Sequence, residues 1–199
     1  KPLLTNLDAL YLNFISGFEL DLETATLLRQ HFRGPVYADL HSLVLAVQPD
    51  GLRTLQPLPD VAAWCRCFDV IQVNENEMSM MAPDPMALAA TALANNVRCL
   101  NVTLAGKGAV FFAAPGFERL TDLEARPPLG AALGPIRTAL VPTTAALSAG
   151  DPTGCGDVWG ATYFSRLLAG DNLTVAMRAA HDAAARNVEH RGATGLAGH

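Results

Sequence analysis

A glycine-rich stretch at residues 150–160, with the sequence GDPTGCGDVWG, carries the residues whose types and spacing are most suggestive of chemistry. Gly154 and Gly156 lie one residue apart, shortly before a strongly helical pattern over residues 161–169. Glycines at this spacing let backbone N–H groups point into one concavity, and the positive end of the helix dipole favours an anion there. Because Asp157 adds a carboxylate, the stretch predicts a phosphate site with its own base. The alternative is a tight turn whose aspartate only complements the helix dipole.

Two other phosphate-binding patterns are excluded by the same residues. The chain contains no Gly-x-x-x-x-Gly-Lys-Ser/Thr sequence and therefore no P-loop. A dinucleotide-binding fingerprint would need a third glycine at the position where Trp159 stands. A Rossmann-type NAD domain is therefore disfavoured.

The segment 151–157, DPTGCGD, resembles the second signature of the ribokinase-like (PfkB) family of carbohydrate and nucleoside kinases. That signature usually has the sequence Asp-Thr-Thr-Gly-Ala-Gly-Asp, so this chain differs at Pro152 and Cys155 and keeps every glycine and aspartate. The resemblance implies that Asp157 is the catalytic base of phosphoryl transfer. The backbone N–H groups implied to form the anion hole are those of Gly154, Cys155 and Gly156.

A second match follows a predicted strand at residues 69–73. The family carries Asn-x-x-Glu at this point, and Asn74 and Glu77 fit that pattern. The resemblance implies that the pair organises Mg²⁺-bound water near the phosphates, which suits a cation that keeps its waters. The alternative is an ordinary helix N-cap with an acidic first turn.

A third match lies in the turn between two predicted strands, where the family has a nucleotide-contacting Val-Thr-Leu-Gly-x-x-Gly sequence. Thr103 and Gly108 match it, while Ala105 replaces the first glycine. Lys107 is within reach of a phosphate as a point charge, although a plain hairpin turn is the alternative. The resemblance also assigns His181, in an alanine-rich segment, to the adenine pocket, with a packed core histidine as the alternative.

The remaining matches concern a monovalent cation and the acceptor. Some family members bind such a cation, for example K⁺, between the signature and a closing Gly-Ala turn, which correspond here to Asp151, Thr153 and the turn at Gly192. Asp39 ends a predicted strand, where open α/β sheets bind ligands, and is the acceptor-side candidate. A strand-end turn residue is its alternative, and His41 is either a loop histidine or a ligand.

Hydrophobic patterning predicts alternating strands and helices, which indicates a parallel sheet. The predicted strands are residues 9–15, 35–40, 69–73, 98–104, 109–112 and 137–142. The predicted helices are residues 22–32, 60–68 (capped by Asp60), 84–95, 158–168 and 173–190, with surface loops at 48–59 and 115–135. Together with the resemblance, this order implies an α/β, ribokinase-like three-layer sandwich. Its mostly parallel central sheet has helices on both faces, in a single domain over residues 1–199.

Composition narrows the classes of function. The formal net charge is −5 and no basic stripe is present, which disfavours nucleic acid as a partner. No apolar run approaches the roughly 20 residues that span a membrane, so no membrane association is expected. The cysteines suggest neither a disulfide framework nor a zinc site, which favours a reducing cytoplasm.

The function implied by the resemblance is ATP-dependent phosphorylation of a hydroxyl group on a small sugar, sugar acid or nucleoside. ATP and that acceptor are the expected partners, Mg²⁺ is the expected cofactor, and a K⁺ site and a homodimer are compatible with the family. Family members carry acceptor-binding residues and a lid in an N-terminal half that has no counterpart in this sequence. The alternative is therefore a non-catalytic nucleotide-binding or regulatory remnant of such a kinase.

Overall fold

The computed structural model describes residues 4–125, 134–144 and 150–189. Within these ranges the strands are β1 (Leu10–Asn13), β2 (Val36–Asp39), β3 (Leu45–Val47), β4 (Arg53–Leu55), β5 (Val70–Asn74), β6 (Cys99–Thr103), β7 (Ala109–Ala113) and β8 (Arg137–Val141). The helices are α1 (Leu22–His31), α2 (Val61–Cys65), α3 (Glu75–Ser79), α4 (Pro85–Ala94), α5 (Cys155–Leu168) and α6 (Leu173–Val188).

The main sheet has the strand order β1-β2-β5-β6-β7-β8. Strands β1, β2, β5 and β6 are parallel to one another. Strand β7 is antiparallel to β6, and β8 is antiparallel to β7. Helices α1, α2 and α4 contribute to the core on one face of the sheet, and α5 and α6 contribute to the core on the other. The predicted α/β three-layer architecture with a mostly parallel central sheet is therefore confirmed.

Alternation along each strand divides the side chains between these two cores. In β2, Val36 and Ala38 join the core formed with α1, α2 and α4, while Tyr37 joins the core formed with α5 and α6. Trp64 and Phe68 fill the first core with aromatic rings. Because both faces are covered, the central strands are mostly apolar, as expected of a parallel sheet buried between helices, with Asp39, Gln72 and Asn101 as buried polar exceptions.

The prediction of a surface loop over residues 48–59 is wrong in part: the segment is largely exposed, but it contains β4, which pairs with β3 as an antiparallel hairpin. The turn-forming residues that suggested a loop instead make a tight reversal of the chain. Leu52 O accepts a hydrogen bond from Gln48 N at 2.7 Å, and Gly51 adopts a positive φ of 83° at the turn. Turn chemistry marks the reversal but does not show that the flanking residues pair.

Helix boundaries differ from the predictions in α5 and α2. Helix α5 begins at Cys155 rather than at residue 158, because Gly154 serves as its N-cap. Helix α2 spans fewer residues than predicted, and Asp60 does not cap it with its side chain, since the residue is left-handed with a φ of 54°. Asn172 caps α6 by accepting a hydrogen bond from Val175 N. The predicted end of α6 at residue 190 lies outside the described residues.

In the part of the chain that the structure describes, no helix combines the length and apolarity needed to cross a membrane. All four cysteines have free thiols. Cys65, Cys67 and Cys99 are buried, and Cys155 is partly exposed at the start of α5.

Helix α5 comes closest to the sheet at Gly160. A Cβ atom at this position would lie 2.5 Å from Gln72 Oε1 and 2.7 Å from Tyr11 Oη. Both distances are shorter than van der Waals contact, so the absence of a side chain is what allows α5 to pack on β1 and β5. Four residues earlier, a Cβ atom at Gly156 would meet Gln72 Nε2 at an ordinary 3.8 Å.

We predict that Gly160→Ala destabilises the fold and that Gly156→Ala, on the same helix, does not. The Gly160→Ala methyl group overpacks a buried contact, which should lower the free energy of unfolding by about 1–3 kcal/mol. The Gly156→Ala methyl group has room and removes a flexible helical glycine, which should raise it by up to about 1 kcal/mol. Urea denaturation followed by circular dichroism measures both changes. Equal stability of the two variants would contradict the close approach at Gly160.

Candidate active site

Four polar side chains in register cross the carboxyl ends of β1, β2, β5 and β6. The strand register pairs Asn13 with Asp39, Asp39 with Gln72, and Gln72 with Asn101. We call these four residues the polar row. Asp39, Gln72 and Asn101 are all buried, so each needs hydrogen-bond partners to offset the loss of hydration. For Asn13 and Gln72, the first turn of α5 supplies one of these partners.

The first turn of α5, residues 154–157, forms the candidate anion turn. Gly154 has a φ of 79°, in the left-handed region that favours glycine. Among the described residues, the backbone N–H groups of Gly156 and Asp157 have no acceptor, as expected for the start of a helix. The Cys155 N–H donates to Pro152 O at 3.1 Å, so the prediction that it is a free anion-hole donor is corrected. The N–H of Gly154 likewise has no acceptor among the described residues, so its predicted role stays a prediction, and the N–H of Asp157 is a further donor that was not predicted.

The signature segment is fastened to the end of α6. Asp151 N donates to Val188 O at 3.1 Å, and Asn187 Nδ2 donates to Thr153 O at 3.0 Å. Asp151 Oδ1 also accepts a hydrogen bond from Thr153 N at 2.9 Å. The monovalent-cation role of Asp151 and Thr153 stays a prediction, and its third member, Gly192, lies outside the described residues.

The carboxylate of Asp157 is oriented by Asn13. Asn13 Nδ2 donates to Asp157 Oδ1 at 2.7 Å, and the amide orientation follows because an ionised carboxylate can only accept. In the described residues, Asp157 Oδ2 has no hydrogen-bond partner and is available to a ligand. The sequence analysis missed Asn13, whose one signal was its place near the end of a predicted strand, where ligands bind.

Gln72 joins the polar row to the anion turn and was also missed. Tyr37 Oη donates to Gln72 Oε1 at 2.5 Å. Gln72 Nε2 donates to Asp39 Oδ2 at 2.8 Å and to Gly156 O at 3.2 Å. A single amide thus connects β2, β5 and the start of α5.

Asp39 is an acidic group held in a low-polarity environment. Burial, followed by the nearby charge of Glu77, raises the pKa of its carboxyl to about 7, and Asp157 acts in the same direction. The hydroxyl of Tyr11 has no partner among the described residues, and its pKa is raised by burial and by the charges of Asp39 and Asp157. Negative charge is therefore concentrated at this end of the sheet.

Asn74 and Glu77 form a capping box at the start of α3, which confirms the N-cap alternative in geometric terms. Glu77 Oε2 accepts from Asn74 N at 2.8 Å, and Oε1 accepts from Asn74 Nδ2 at 2.5 Å. The Nδ1 atom of His41 lies 2.5 Å from the same Oε1, and this hydrogen bond raises the pKa of His41. The assignment of Asn74 and Glu77 to Mg²⁺-bound water stays a prediction.

The predicted nucleotide-contacting turn is the hairpin connection between β6 and β7. Thr103 and Gly108 line the same cleft as the anion turn, whereas Lys107 is exposed and is not part of the cleft wall. A side chain at Gly108 would collide with Val141 O, at 2.2 Å from the added Cβ. Ala105, where the family has glycine, adopts a positive φ of 49°.

His181 is packed with both ring nitrogens engaged. Trp159 Nε1 donates to His181 Nδ1 at 3.0 Å, so Nε2 carries the hydrogen and donates to Val141 O at 2.9 Å. Burial lowers the pKa of this histidine. The packed-histidine alternative therefore describes the geometry, and any contact with an adenine base would use the ring rather than a nitrogen.

These features surround one cleft of about 720 Å³, a size typical of small-molecule sites. Asp39 and Asp157 are the carboxylates in its wall, and the described wall includes no lysine or arginine. No group of three or more metal-binding side chains occurs among the described residues. The wall also includes His41, Asn74, Thr103, Gly108, Gly154, Gly156, His181, Ala184, Ala185 and Val188.

Fold and site together define a three-layer α/β protein with a candidate phosphate site at the carboxyl edge of its parallel strands. A family model described as pfkB family carbohydrate kinase matches residues 44–197. The chain belongs to this family. A search of curated proteins found no match.

Solved structures resemble the chain throughout its length. Ribokinase from Thermotoga maritima is 21% identical with a TM-score of 0.63, over 96% of this chain and 54% of that one. A Burkholderia thailandensis nucleoside kinase in complex with inosine is 18% identical with a TM-score of 0.67, over 94% and 51%. Arabidopsis thaliana ribokinase complexed with ribose and ATP is 18% identical with a TM-score of 0.64, over 96% and 53%. The chain thus spans about half the length of each.

We predict that Asp39 makes the fold less stable as the pH rises. Its folded pKa of about 7 exceeds the unfolded value of 3.8, so the folded protein holds the proton more tightly. Stability is therefore greatest below the unfolded pKa, and it should fall by about 2 kcal/mol between about pH 5 and about pH 7. Asp39→Asn should remove most of this slope in urea denaturation. His41, whose pKa is also raised, should lose its own contribution to stability at higher pH, above its ordinary pKa of 6.5.

Asp8→Asn, which changes an exposed carboxylate, is the matched control and should leave the slope as in the wild type. A wild-type slope in Asp39→Asn would show that Asp39 is not protonated in the folded protein at neutral pH.

Proposed function

We propose that this chain carries the phosphoryl-transfer site of an ATP-dependent kinase that acts on a hydroxyl of a small sugar, sugar acid or nucleoside. The carrying observation is the arrangement of Asp157, whose carboxylate lies beside the free N–H groups of Gly156 and Asp157 in a ligand-sized cleft. Membership of the pfkB carbohydrate kinases supports the reaction class. The ribose, ATP and inosine bound to the structural relatives support the ligand classes.

In this proposal Asp157 is the general base. As the acceptor oxygen bonds to the γ-phosphorus, its proton passes to Asp157, and the bond to the β–γ bridging oxygen breaks to release ADP. The N–H groups of Gly156 and Asp157 stabilise the charge on the transferring oxygens. Asn13 holds Oδ1, which leaves Oδ2 to take the proton.

The charge of the cleft wall supports a divalent cation as cofactor. The described wall offers Asp39 and Asp157 and no lysine or arginine, so polyphosphate would meet net repulsion without a cation. Bound Mg²⁺ would supply positive charge that offsets the charge of the phosphates. Asn74, on the cleft wall, would hydrogen-bond its waters, with Glu77 behind it. Asp151 and Thr153 are the proposed residues for K⁺.

The two ends of the cleft suit the two substrates. Ala184, Ala185 and Val188 of α6 offer an apolar wall for a nucleoside base, next to the turn that contains Thr103 and Gly108. Asp39 lies across the anion turn and is the proposed acceptor-side residue. Lys107 is exposed and is not in the cleft wall, so contact with the donor phosphates would require its side chain to turn toward the cleft.

A nucleotide-binding protein without transfer activity is the second candidate. The observation that favours it is that the described cleft wall has no lysine or arginine to stabilise charge on a transferring phosphoryl group. Calorimetry with ATP and Mg²⁺, combined with an ADP-release assay over a panel of sugars, sugar acids and nucleosides, separates the two. ATP binding with no transfer to any acceptor would support this second candidate and contradict the kinase proposal.

We predict that Asp157→Asn lowers kcat for transfer by at least about a hundredfold, because the amide cannot accept the proton. The variant keeps an oxygen that can accept the hydrogen bond from Asn13, so the fold and the ATP affinity should change little. Steady-state kinetics and thermal denaturation measure these effects.

The control is Asp50→Asn, the same substitution at an exposed turn, which should leave kcat unchanged. Wild-type turnover by a folded Asp157→Asn protein would end the assignment of Asp157 as the base.

A further inference from the structure

Gln72 is an uncharged polar residue that is buried from solvent. It lies in β5, whose sequence is VIQVN, and its side chain is 3% exposed. Burying an amide costs free energy unless its donors and acceptor are paired. All of its groups are paired: the oxygen accepts one hydrogen bond and the nitrogen donates two. A branched apolar residue would fill this strand position without such requirements, so the amide calls for an explanation.

The hydrogen bond from Gln72 to the anion turn restrains the peptide group between Gly156 and Asp157. The Gly156 carbonyl that accepts from Gln72 Nε2 and the Asp157 N–H belong to the same peptide unit. A trans peptide is planar, with its C=O and N–H pointing in opposite directions. Holding the oxygen on Gln72 therefore fixes the direction of the Asp157 N–H, which has no acceptor among the described residues.

The position of Gln72 is itself tightly restrained. Tyr37 Oη and Asp39 Oδ2 hold the two ends of its amide from β2. The missing side chain at Gly160 leaves the space that Oε1 occupies, since a Cβ atom there would lie 2.5 Å away. A restrained amide can transmit position to the turn, whereas a mobile one could not.

We propose that Gln72 is a positioning residue for phosphate binding, which aims the Asp157 N–H at the phosphate by holding the carbonyl of the same peptide. The inference rests on the proposed function in taking residues 154–157 as a phosphate site, but it does not depend on transfer. Asp39, which shares the Gln72 Nε2 group, links the acceptor side of the cleft to this peptide.

The test compares Gln72→Met with Asn101→Leu. Methionine matches glutamine in length but cannot donate or accept these bonds. Asn101 is the neighbouring buried amide of the polar row and is not part of the described cleft wall. Its nitrogen bonds to Ile71 O, and its contact with α5 is with Tyr163, beyond the anion turn. Calorimetry on the full chain measures the Kd for ATP and for adenosine, each with Mg²⁺. Adenosine lacks phosphates and reports the base pocket alone.

Gln72→Met should raise the Kd for ATP about tenfold, as expected for loss of one well-aligned hydrogen bond to the phosphates, and leave the Kd for adenosine unchanged. Asn101→Leu should leave both within about twofold, although both variants lower the midpoint of urea unfolding. Unchanged ATP affinity in folded Gln72→Met would overturn the inference. Equal loss of ATP affinity in both variants, or parallel loss of adenosine affinity, would do so too.

Should Gln72→Met fail to fold, Gln72→Leu also removes the donor without adding charge to this buried site, and the same tenfold loss is expected. Wild-type ATP affinity in that variant would overturn the inference.

The outcome is separable from that of the proposed function. Loss of ATP affinity in Gln72→Met, with no transfer by the wild type, supports the inference and contradicts the kinase activity. Wild-type transfer activity and ATP affinity in Gln72→Met would support the kinase activity and contradict the inference.

Discussion

The need to satisfy buried polar groups at the carboxyl end of a parallel sheet shapes the whole site. Asn13, Asp39, Gln72 and Asn101 lie side by side on four strands, where an ordinary sheet of this class would carry aliphatic side chains. Hydration lost on burial must be replaced by hydrogen bonds within the protein. For Asn13 and Gln72, a hydrogen-bond partner comes from the first turn of α5. The same hydrogen bonds therefore pair the polar groups of the sheet and position the turn.

That arrangement explains why the glycines of residues 150–160 have different structural roles. Gly154 allows a left-handed conformation at the start of α5, and Gly160 lets the helix approach the amide of Gln72. Gly150 packs against the end of α6, since a Cβ atom there would lie 1.9 Å from Val188 O. Among the described residues, the N–H groups of Gly154 and Gly156 have no acceptor and are left for a ligand. Two glycines of this stretch therefore serve packing: Gly160 allows contact with the sheet, and Gly150 allows contact with α6.

The order of strands and helices followed from local patterns, because apolar runs and capping residues report on their own segments. The anion turn and Asp157 were also predictable, since their chemistry lies within seven consecutive residues. Asn13 and Gln72 were not, because their roles depend on the register of strands separated by tens of residues. For the same reason α5 was expected to begin later: Gly156 weighs against helix in isolation, and its tertiary contacts decide otherwise. His181 had two open alternatives that only its partners Trp159 and Val141 separate.

The gap at Gly160 has a consequence for how this sequence can vary. Its empty volume is occupied by the amide of residue 72, so the two positions share one fixed space although 88 positions separate them. Enlarging residue 160 requires shrinking residue 72, whereas shrinking residue 72 alone opens a void. In a library that randomises both, functional clones should show anticorrelated side-chain volumes at these positions. Such covariation would trace the contact between helix and sheet without any structure at all.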